Sequence, residues 1–224
     1  MTPRHWPSPG PDGGEIPEYA LTFDRGREPR LLIVPALFDE ANRLRRLTVE
    51  TMRRLDAVGI DTMLPDLPGT NESLQPLHAQ TVADWQRATA RAASHFRVTA
   101  VLGIRGGCLF TPDGPRALHY APVRAASLLR QMIRSRIVSA REAGREETSE
   151  GLRETGQRSG LDLAGHRLGA PFVRQFDTLV PSADAEAIGQ DRVGGGGLWL
   201  RAEPGENAAQ ADALAEIVAK AITS

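Results

Sequence analysis

The stretch that decides the fold of this chain is Gly103-Ile104-Arg105-Gly106-Gly107. It follows the apolar run 98–102, so the sequence predicts a strand that leads into a tight turn and then a helix. The glycines at its first and fifth positions keep the spacing of the Gly-x-Ser-x-Gly motif, whose central residue stands at the apex of a strained turn. Here the central residue is Arg105, so the motif is present without its serine.

Arg105 changes what such a turn can do. A guanidinium is permanently protonated, carries five donors and no acceptor, and cannot attack a carbonyl carbon. The turn begins a helix, whose N-terminus favours anions, and Arg105 adds a full positive charge there. Two interpretations stay open: Arg105 contacts an anionic ligand, or it forms a structural ion pair with Glu40 or Asp66, because an unpaired buried charge is costly.

Strand and helix patterns alternate on both sides of this turn. Apolar runs predict buried strands, and amphipathic periodicity predicts helices. The predicted strands are 30–37, 60–67, 98–104 and 116–122, with an edge strand at 18–23 and a last strand at 198–202; the predicted helices are 42–58, 81–96 and 208–222, with a short one at 107–110. This alternation predicts an α/β fold, a mostly parallel sheet with helices on both faces.

The two remaining parts of the chain lack this alternation. Residues 1–17 hold five prolines and three glycines, so we expect a flexible N-terminal tail before a single domain at 18–224. Residues 123–178 are first helical and then polar and glycine-spaced. We expect them to form a cap-like helical insertion over the carboxyl edge of the sheet.

Composition narrows the class of partner. The formal net charge is -1, so no global field indicates nucleic acid or an anionic membrane. A single cysteine, Cys108, excludes an internal disulfide and a cysteine-rich zinc site, and it agrees with a reducing compartment. No apolar run reaches the ~18 residues of a transmembrane helix. We therefore expect a cytoplasmic protein with no transmembrane segment, no nucleic-acid partner and no metal or cofactor.

A predicted helix of the insertion is rich in arginine. A run of arginines is typical of a solvated helix face, while an anion-binding groove or a contact face for a protein partner remains an alternative. Its arginines are Arg124, Arg130, Arg134, Arg136, Arg141 and Arg145.

The sequence does not supply a serine-hydrolase triad. On a fold with this turn, the triad needs a serine at the turn, then an acid, then a histidine near the end of the chain. None of the five histidines follows the last predicted strand. His166 lies in the cap-like insertion, where it could line a pocket, and His119 is expected to be a packed strand residue. Cys108 lies three residues past Arg105, and we expect a buried structural thiol there.

Three blocks of sequence resemble those of a known family, the exosortase A system-associated hydrolases of type 2, which are encoded beside exosortase and exopolysaccharide genes. Residues 34–46 are similar to the family's PPFxEExNxxRR run, residues 64–73 to its DLxGxGxS turn, and residues 103–107 to its GLRxG turn. Weaker similarity continues to Val173, and beyond Pro181 the chain departs from the family. The resemblance implies an α/β-hydrolase fold and a link to exopolysaccharide or exosortase pathways.

Polar residues follow the predicted strand ends, where ligands bind in open α/β sheets. They are Glu40, Asn42, Arg45, Arg46, Asp66 and Arg105, and His166 joins them from the insertion. We expect them to form a site for a small or carbohydrate-derived, anionic ligand in a protein without serine-hydrolase activity. The alternative is a genuine hydrolase of esters or carbohydrate derivatives, in which Asp66 or Glu40 is the base and Arg105 stabilises negative charge.

Overall fold

The computed structural model describes residues 1–10 and 12–223, and a seven-stranded sheet forms its centre. The strands are β1 (Thr2–Pro9), β2 (Glu15–Phe23), β3 (Arg30–Val34), β4 (Asp61–Pro65), β5 (Ala100–Ile104), β6 (Arg116–Tyr120), β7 (Leu161–Leu163), β8 (His166–Leu168) and β9 (Glu186–Ile188). The order across the sheet is β1-β2-β4-β3-β5-β6-β9, while β7 and β8 form a separate hairpin. Strands β3, β4, β5, β6 and β9 are parallel, and β1 and β2 are antiparallel to their neighbours.

Helices cover both faces of this sheet. They are α1 (Asp39–Ala57), α2 (Val82–His95), α3 (Ala125–Glu142), α4 (Ser149–Ser159), α5 (Ala170–Phe176), α6 (Gln190–Val193) and α7 (Ala208–Thr223). Helices α1 and α7 bury Leu44, Leu47 and Leu214 in the apolar core of one face. On the opposite face, α2 and α5 bury Trp85 and Phe172. The predicted mostly parallel sheet with helices on both faces is therefore confirmed.

The elements between β6 and β9 form what we call the cap: α3, α4, the β7–β8 hairpin and α5. An aromatic cluster joins the cap to the rest of the molecule. Phe172 and Phe176 of α5 stack at 5.1 Å between ring centroids, Trp85 meets Phe172 at 4.9 Å, and Phe38 meets Phe176 at 5.7 Å. Aromatic pairs at such distances stabilise packing beyond their burial alone. The bounds of a single domain at 18–224 and of the insertion at 123–178 stay predictions.

The N-terminal residues correct one expectation. Instead of a flexible tail, residues 2–9 form β1, which pairs with β2 from Thr2↔Thr22 to Pro9↔Glu15. Trp6 is buried against α2, and its Nε1 donates to the carbonyl of Tyr19 at 3.3 Å. Prolines are tolerated here because β1 is an edge strand, where a missing N–H costs no ladder bond on the open side. The predicted edge strand at 18–23 is consequently β2, which is the second strand of the sheet and not its edge.

The C-terminal region corrects a second expectation. Residues 198–202 were expected to form the last strand, but Leu198–Leu200 is a short 3-10 helix and the last strand is β9. Leu198 and Trp199 are buried against the α1 and α7 side of the core, so burial rather than β pairing explains their apolar character. Strand β9 gave little signal because only Ile188 among its three residues is buried. None of the helices among the described residues has the length and apolar character to cross a membrane.

Gly107, the last glycine of the motif, packs so closely against the neighbouring backbone that a substitution there tests the packing. A Cβ at Gly107 would lie 2.3 Å from the carbonyl oxygens of both Val34 and Pro35, and these backbone atoms cannot swing away. We therefore expect Gly107→Ala to lower the free energy of unfolding by about 3 kcal/mol, as severe overpacking does. Gly196→Ala is the control, because a Cβ there meets nothing within 4 Å. Equal urea denaturation midpoints for the two variants would contradict the packing described here.

Candidate functional site

Arg105 stands at a strained turn between β5 and a 3-10 helix, Arg105–Leu109. Its φ of 53° lies in the left-handed region, which residues with a side chain seldom occupy. The first glycine of the motif is needed because a Cβ at Gly103 would lie 2.7 Å from the Cα of Cys108. The strand, strained turn and short helix predicted for this motif are therefore confirmed.

The guanidinium of Arg105 is bound to Glu40 through two parallel hydrogen bonds. Arg105 Nε donates to Glu40 Oε2 at 3.1 Å, and Nη2 donates to Oε1 at 2.9 Å. A third bond runs from Nη1 to the carbonyl oxygen of Ala121 at 3.1 Å. The Arg105 and Glu40 side chains are only 12% and 3% exposed. This is the paired, planar geometry in which guanidinium–carboxylate interactions are strongest.

Trp199 covers the face of the same guanidinium. Arg105 Cζ lies 4.2 Å from the centroid of the Trp199 ring, a cation–π arrangement. Tyr120 packs edge-on against Trp199 and donates its hydroxyl to Gln190 Oε1 at 2.6 Å. Burial raises the pKa of Tyr120 to about 12, so this hydroxyl remains a donor well into the alkaline range. The guanidinium of Arg105 is thus hydrogen-bonded along its edge and covered by Trp199 on one face.

The loops after three neighbouring strands at this edge of the sheet each contain a residue with left-handed backbone. Besides Arg105 after β5, Phe38 lies beyond β3 with φ 55°, and Ala121 follows β6 with φ 45°. Each such residue costs on the order of 1–3 kcal/mol and persists only where the surroundings hold it. Because Arg105 bonds to Glu40 and to Ala121, its side chain ties these three strained loops together.

A second polar group lies at the carboxyl end of β4. Asp66 is buried, and it accepts hydrogen bonds from Asn71 Nδ2 at 2.8 Å and from the backbone N–H of Glu72 at 3.2 Å. Arg45 Nη1 is 4.0 Å from Asp66 Oδ1. Burial raises the pKa of the Asp66 carboxyl above its ordinary value.

Next to this group is a cavity of about 280 Å³, which we call the sheet-edge cavity. It is lined by Pro35, Ala36, Ala41, Asn42, Arg45, Thr48, Leu64, Asn71 and Glu72. Asp66 holds two of these residues in place through its hydrogen bonds to Asn71 and Glu72. The cavity therefore presents amide, guanidinium and carboxylate groups to whatever occupies it.

Two predicted site residues lie apart from these groups. Arg46 forms a surface ion pair with Glu206, and their side chains are 63% and 59% exposed. His166, on β8, approaches the first turn of α1, where its Nε2 is 3.5 Å from Asp39 Oδ1. The structure therefore divides the predicted site: one group joins Arg105 to Glu40, and another joins Asp66 to the residues of the sheet-edge cavity.

Glu18 is a buried carboxyl that sequence analysis missed. Its Oε1 accepts hydrogen bonds from Ser73 Oγ at 2.7 Å and Gln75 Nε2 at 2.8 Å, while Oε2 is buried without a partner among the described residues. Burial raises the pKa of Glu18, and the nearby charge of Asp66 acts in the same direction. Glu18 and Asp66 thus hold the two ends of the loop that contributes Asn71 to the sheet-edge cavity.

Other reactive side chains near the turn are structural, as expected. Cys108 is buried and lies 3.8 Å from the carbonyl oxygen of Tyr120, and burial raises the pKa of its thiol far above the usual range. His119 is buried, and its Nε2 is 2.9 Å from Thr111 Oγ1; burial lowers the pKa of its imidazole. Within the described part of the chain, no three His, Cys, Asp or Glu side chains group in a way that could hold a metal ion.

Comparison with known proteins identifies the fold. No protein-family model matches the chain, and no curated protein matches it in sequence. Among solved structures, mouse alpha/beta hydrolase domain-containing protein 10 is similar with a TM-score of 0.58 at 13% identity, over 92% of this chain and 94% of that one. A candidate hydrolase of Agrobacterium vitis S4 is similar with a TM-score of 0.54 at 13% identity, over 99% and 98% of the two chains.

Such low identity establishes fold alone. The chain has the α/β-hydrolase fold, with an arginine at the position where the motif of that fold carries its serine nucleophile.

The Arg105–Glu40 pair predicts strong energetic coupling. Glu40→Ala leaves a buried guanidinium without its carboxylate, so we expect a loss of about 3 kcal/mol in the free energy of unfolding. Because Arg105→Ala removes the same interaction, the double variant should lose less than the sum of the single losses, by more than about 1 kcal/mol.

The control for this cycle is the exposed pair Arg46–Glu206, for which coupling below about 1 kcal/mol is expected. If the losses in the free energy of unfolding at Arg105 and Glu40, measured by chemical denaturation, are additive, the ion pair does not stabilise the turn.

Glu18 predicts a pH dependence of stability. A carboxyl whose pKa is raised by folding contributes stability below its unfolded pKa, 4.5, and this contribution is lost as the pH rises through the raised value. We therefore expect Glu18→Gln to lose less stability than the parent protein between pH 4.5 and neutral pH. Glu203→Gln, at an exposed position, should follow the parent. If the free energies of unfolding of the parent and of Glu18→Gln, measured by chemical denaturation, change equally with pH across this range, the prediction is wrong.

Proposed function

We propose that this protein is a ligand-binding protein built on the α/β-hydrolase fold, without serine-hydrolase activity. The observation that carries the proposal is the bidentate pairing of Arg105 with Glu40 at the nucleophile position. A guanidinium cannot act as a nucleophile, and this one already uses donors on all three of its nitrogens. Its role in the proposal is to brace the loops that surround the ligand site.

The alternative hydrolase mechanism, with Glu40 or Asp66 as the base, finds less support in the contacts. Both oxygens of Glu40 accept hydrogen bonds from Arg105, and both oxygens of Asp66 accept hydrogen bonds from the loop that follows it. The raised pKa of Asp66 is the one feature that favours a base. A general base must reach the water that it activates, and the hydrogen bonds already made by these oxygens compete with that water, which weighs against this alternative.

The ligand site in this proposal is the sheet-edge cavity. Its volume of about 280 Å³ is just below the range of about 300–1,000 Å³ typical of small-molecule sites, which favours a ligand the size of one sugar ring. Asn42 and Asn71 offer amide donors and acceptors, Glu72 accepts, and Arg45 supplies a cation for an anionic group. We infer a small polar or carbohydrate-derived ligand.

The resemblance stated above supports the same cavity. Eight of its nine lining residues fall within the two blocks, 34–46 and 64–73, that resemble the exosortase-associated family. Ligands of open α/β sheets bind at this edge, where the loops after adjacent strands meet. A role in an exopolysaccharide or exosortase pathway rests on this resemblance and remains part of the proposal.

A protein contact through the arginine-rich helix is a second, separate possibility within this proposal. Arg136 is not available for it, because it bonds to both oxygens of Glu147. Arg130 and Arg134 instead line an open groove beside the exposed Val138, and within the described residues neither has a carboxylate within 4.0 Å. These residues favour an acidic protein partner for this helix.

Catalysis is tested with a fluorophosphonate probe and a panel of p-nitrophenyl esters. The proposal expects no covalent labelling of the parent protein and no turnover above the rate in buffer, with a serine esterase as the positive control. Turnover that disappears in Asp66→Ala or Glu40→Ala protein shown by circular dichroism to remain folded, while Arg46→Ala retains it, would establish the hydrolase alternative instead.

Binding is tested in the same preparation by ligand-observed NMR with a panel of monosaccharides and sugar acids. For any member that binds, Arg45→Ala should weaken affinity about tenfold or more, since it removes a charged hydrogen-bond donor from the cavity. Arg46→Ala is the matched control, being the next residue on α1 but paired with Glu206 at the surface. Equal affinities for the Arg45 and Arg46 variants would remove the sheet-edge cavity from the proposal.

A further inference from the structure

The cap contains a second, larger concavity, which we call the cap cavity. Its volume is about 550 Å³, within the range of small-molecule sites. It lies among α3, α4, the β7–β8 hairpin and the start of α5, and His78 contributes from the loop before α2. The residues that matter for its chemistry are His78, Arg136, Thr155, Arg158, Asp162 and Arg167. None of these residues belongs to the sheet-edge cavity.

Arginines from three different elements converge on the cap cavity. Arg136 comes from α3, Arg158 from the last turn of α4 and Arg167 from β8. Arg158 and Arg167 are both exposed, and among the described residues their guanidinium groups form no hydrogen bond and no ion pair. This contrasts with Arg153, also on α4, which is paired with Asp177 at 2.8 Å. Two guanidinium groups at the cavity are therefore free to bind a ligand.

Arg136 is held in position by its own contacts. It binds Glu147 through Nε and Nη2, both at 2.8 Å, and Nη1 donates to the carbonyl oxygen of Asp162 at 2.7 Å. Because Glu147 neutralises its charge, Arg136 forms a fixed wall between α3 and the hairpin. The positive charge that Glu147 does not neutralise comes from Arg158 and Arg167, and the single carboxylate of Asp162 offsets only part of it.

Two glycines fix the shape of the cavity. A Cβ at Gly160, where φ is 85°, would lie 2.4 Å from the carbonyl oxygen of Leu168. A Cβ at Gly169 would lie 2.2 Å from the carbonyl oxygen of His78. The backbone of the hairpin is therefore in direct contact with the end of α4 and with the loop before α2. Such close backbone contacts preorganise a binding site, which lowers the entropic cost of binding.

The charges and hydroxyls of the cavity define the class of ligand. Arg158 and Arg167 favour a carboxylate or phosphate group, for which guanidinium is the preferred partner. Asp162 is the one carboxylate among the lining residues, and Thr155 adds a hydroxyl. These two groups suit the hydroxyls of a ligand better than a second anionic group. We propose that the cap cavity binds a small hydroxylated organic anion of the sugar-acid or sugar-phosphate class.

The proposal is tested by isothermal titration calorimetry at low ionic strength, with D-glucuronate and D-glucose 6-phosphate as probes. Uncharged D-glucose is the control ligand. We expect at least one anion to bind more tightly than D-glucose, and Arg158→Gln and Arg167→Gln each to weaken that binding about tenfold or more. Arg134→Gln, on the outer face of α3, is the control variant and should bind as the parent does.

Several results would overturn the proposal. One is the absence of binding by both anions to the parent protein, and another is equal binding of D-glucose. A third is an equal loss of affinity in Arg134→Gln, which would indicate general charge attraction rather than a site. A loss in Arg45→Ala with none in Arg158→Gln would assign the anion to the sheet-edge cavity, which separates a failure here from a failure of the proposed function.

Discussion

The bidentate ion pair between Arg105 and Glu40 is the interaction on which the carboxyl edge of this sheet depends. It joins the turn after β5 to the first turn of α1, and through the carbonyl of Ala121 it also reaches the end of β6. All three loops contain a left-handed residue, so the bonds hold together backbone that is strained on its own. A serine nucleophile would need an exposed apex at this turn, whereas here the apex is occupied by a guanidinium that is already bound and covered by Trp199.

Besides this ion pair, an aromatic cluster and two polar cavities characterise the sheet edge and the cap. The aromatic cluster of Phe38, Trp85, Phe110, Phe172 and Phe176 fills the region between α2 and the cap, where the cap is anchored. One polar cavity lies at the end of β4, and the other lies within the cap. The loops at this edge correspond to those that carry catalytic residues in α/β hydrolases, but here Arg105 replaces the serine and is bound to Glu40.

The sequence predicted those features that depend on local pattern. The strands β3 to β6 and the helices α1, α2 and α7 have strong apolar periodicity, and the strained turn follows from the spacing of Gly103 and Gly107. It also offered Glu40 as a partner for Arg105 but could not choose it over Asp66, because that choice depends on how the loops approach one another. Trp199 and Glu18 were missed since their roles arise from contacts distant in sequence, and β1 was missed because its prolines conceal a strand that only an edge position permits.

The central claim, that Arg105 is a bound brace rather than a free charge, is tested most directly by NMR of its side-chain N–H groups. The Nε–H of Arg105 should give a resolved signal that exchanges slowly with water, and Glu40→Gln should accelerate that exchange markedly. Arg134 supplies the reference, because its guanidinium is exposed and has no carboxylate partner among the described residues. If the Nε–H of Arg105 exchanges as fast as that of Arg134 in the parent protein, the ion pair with Glu40 does not hold the Arg105 side chain in solution.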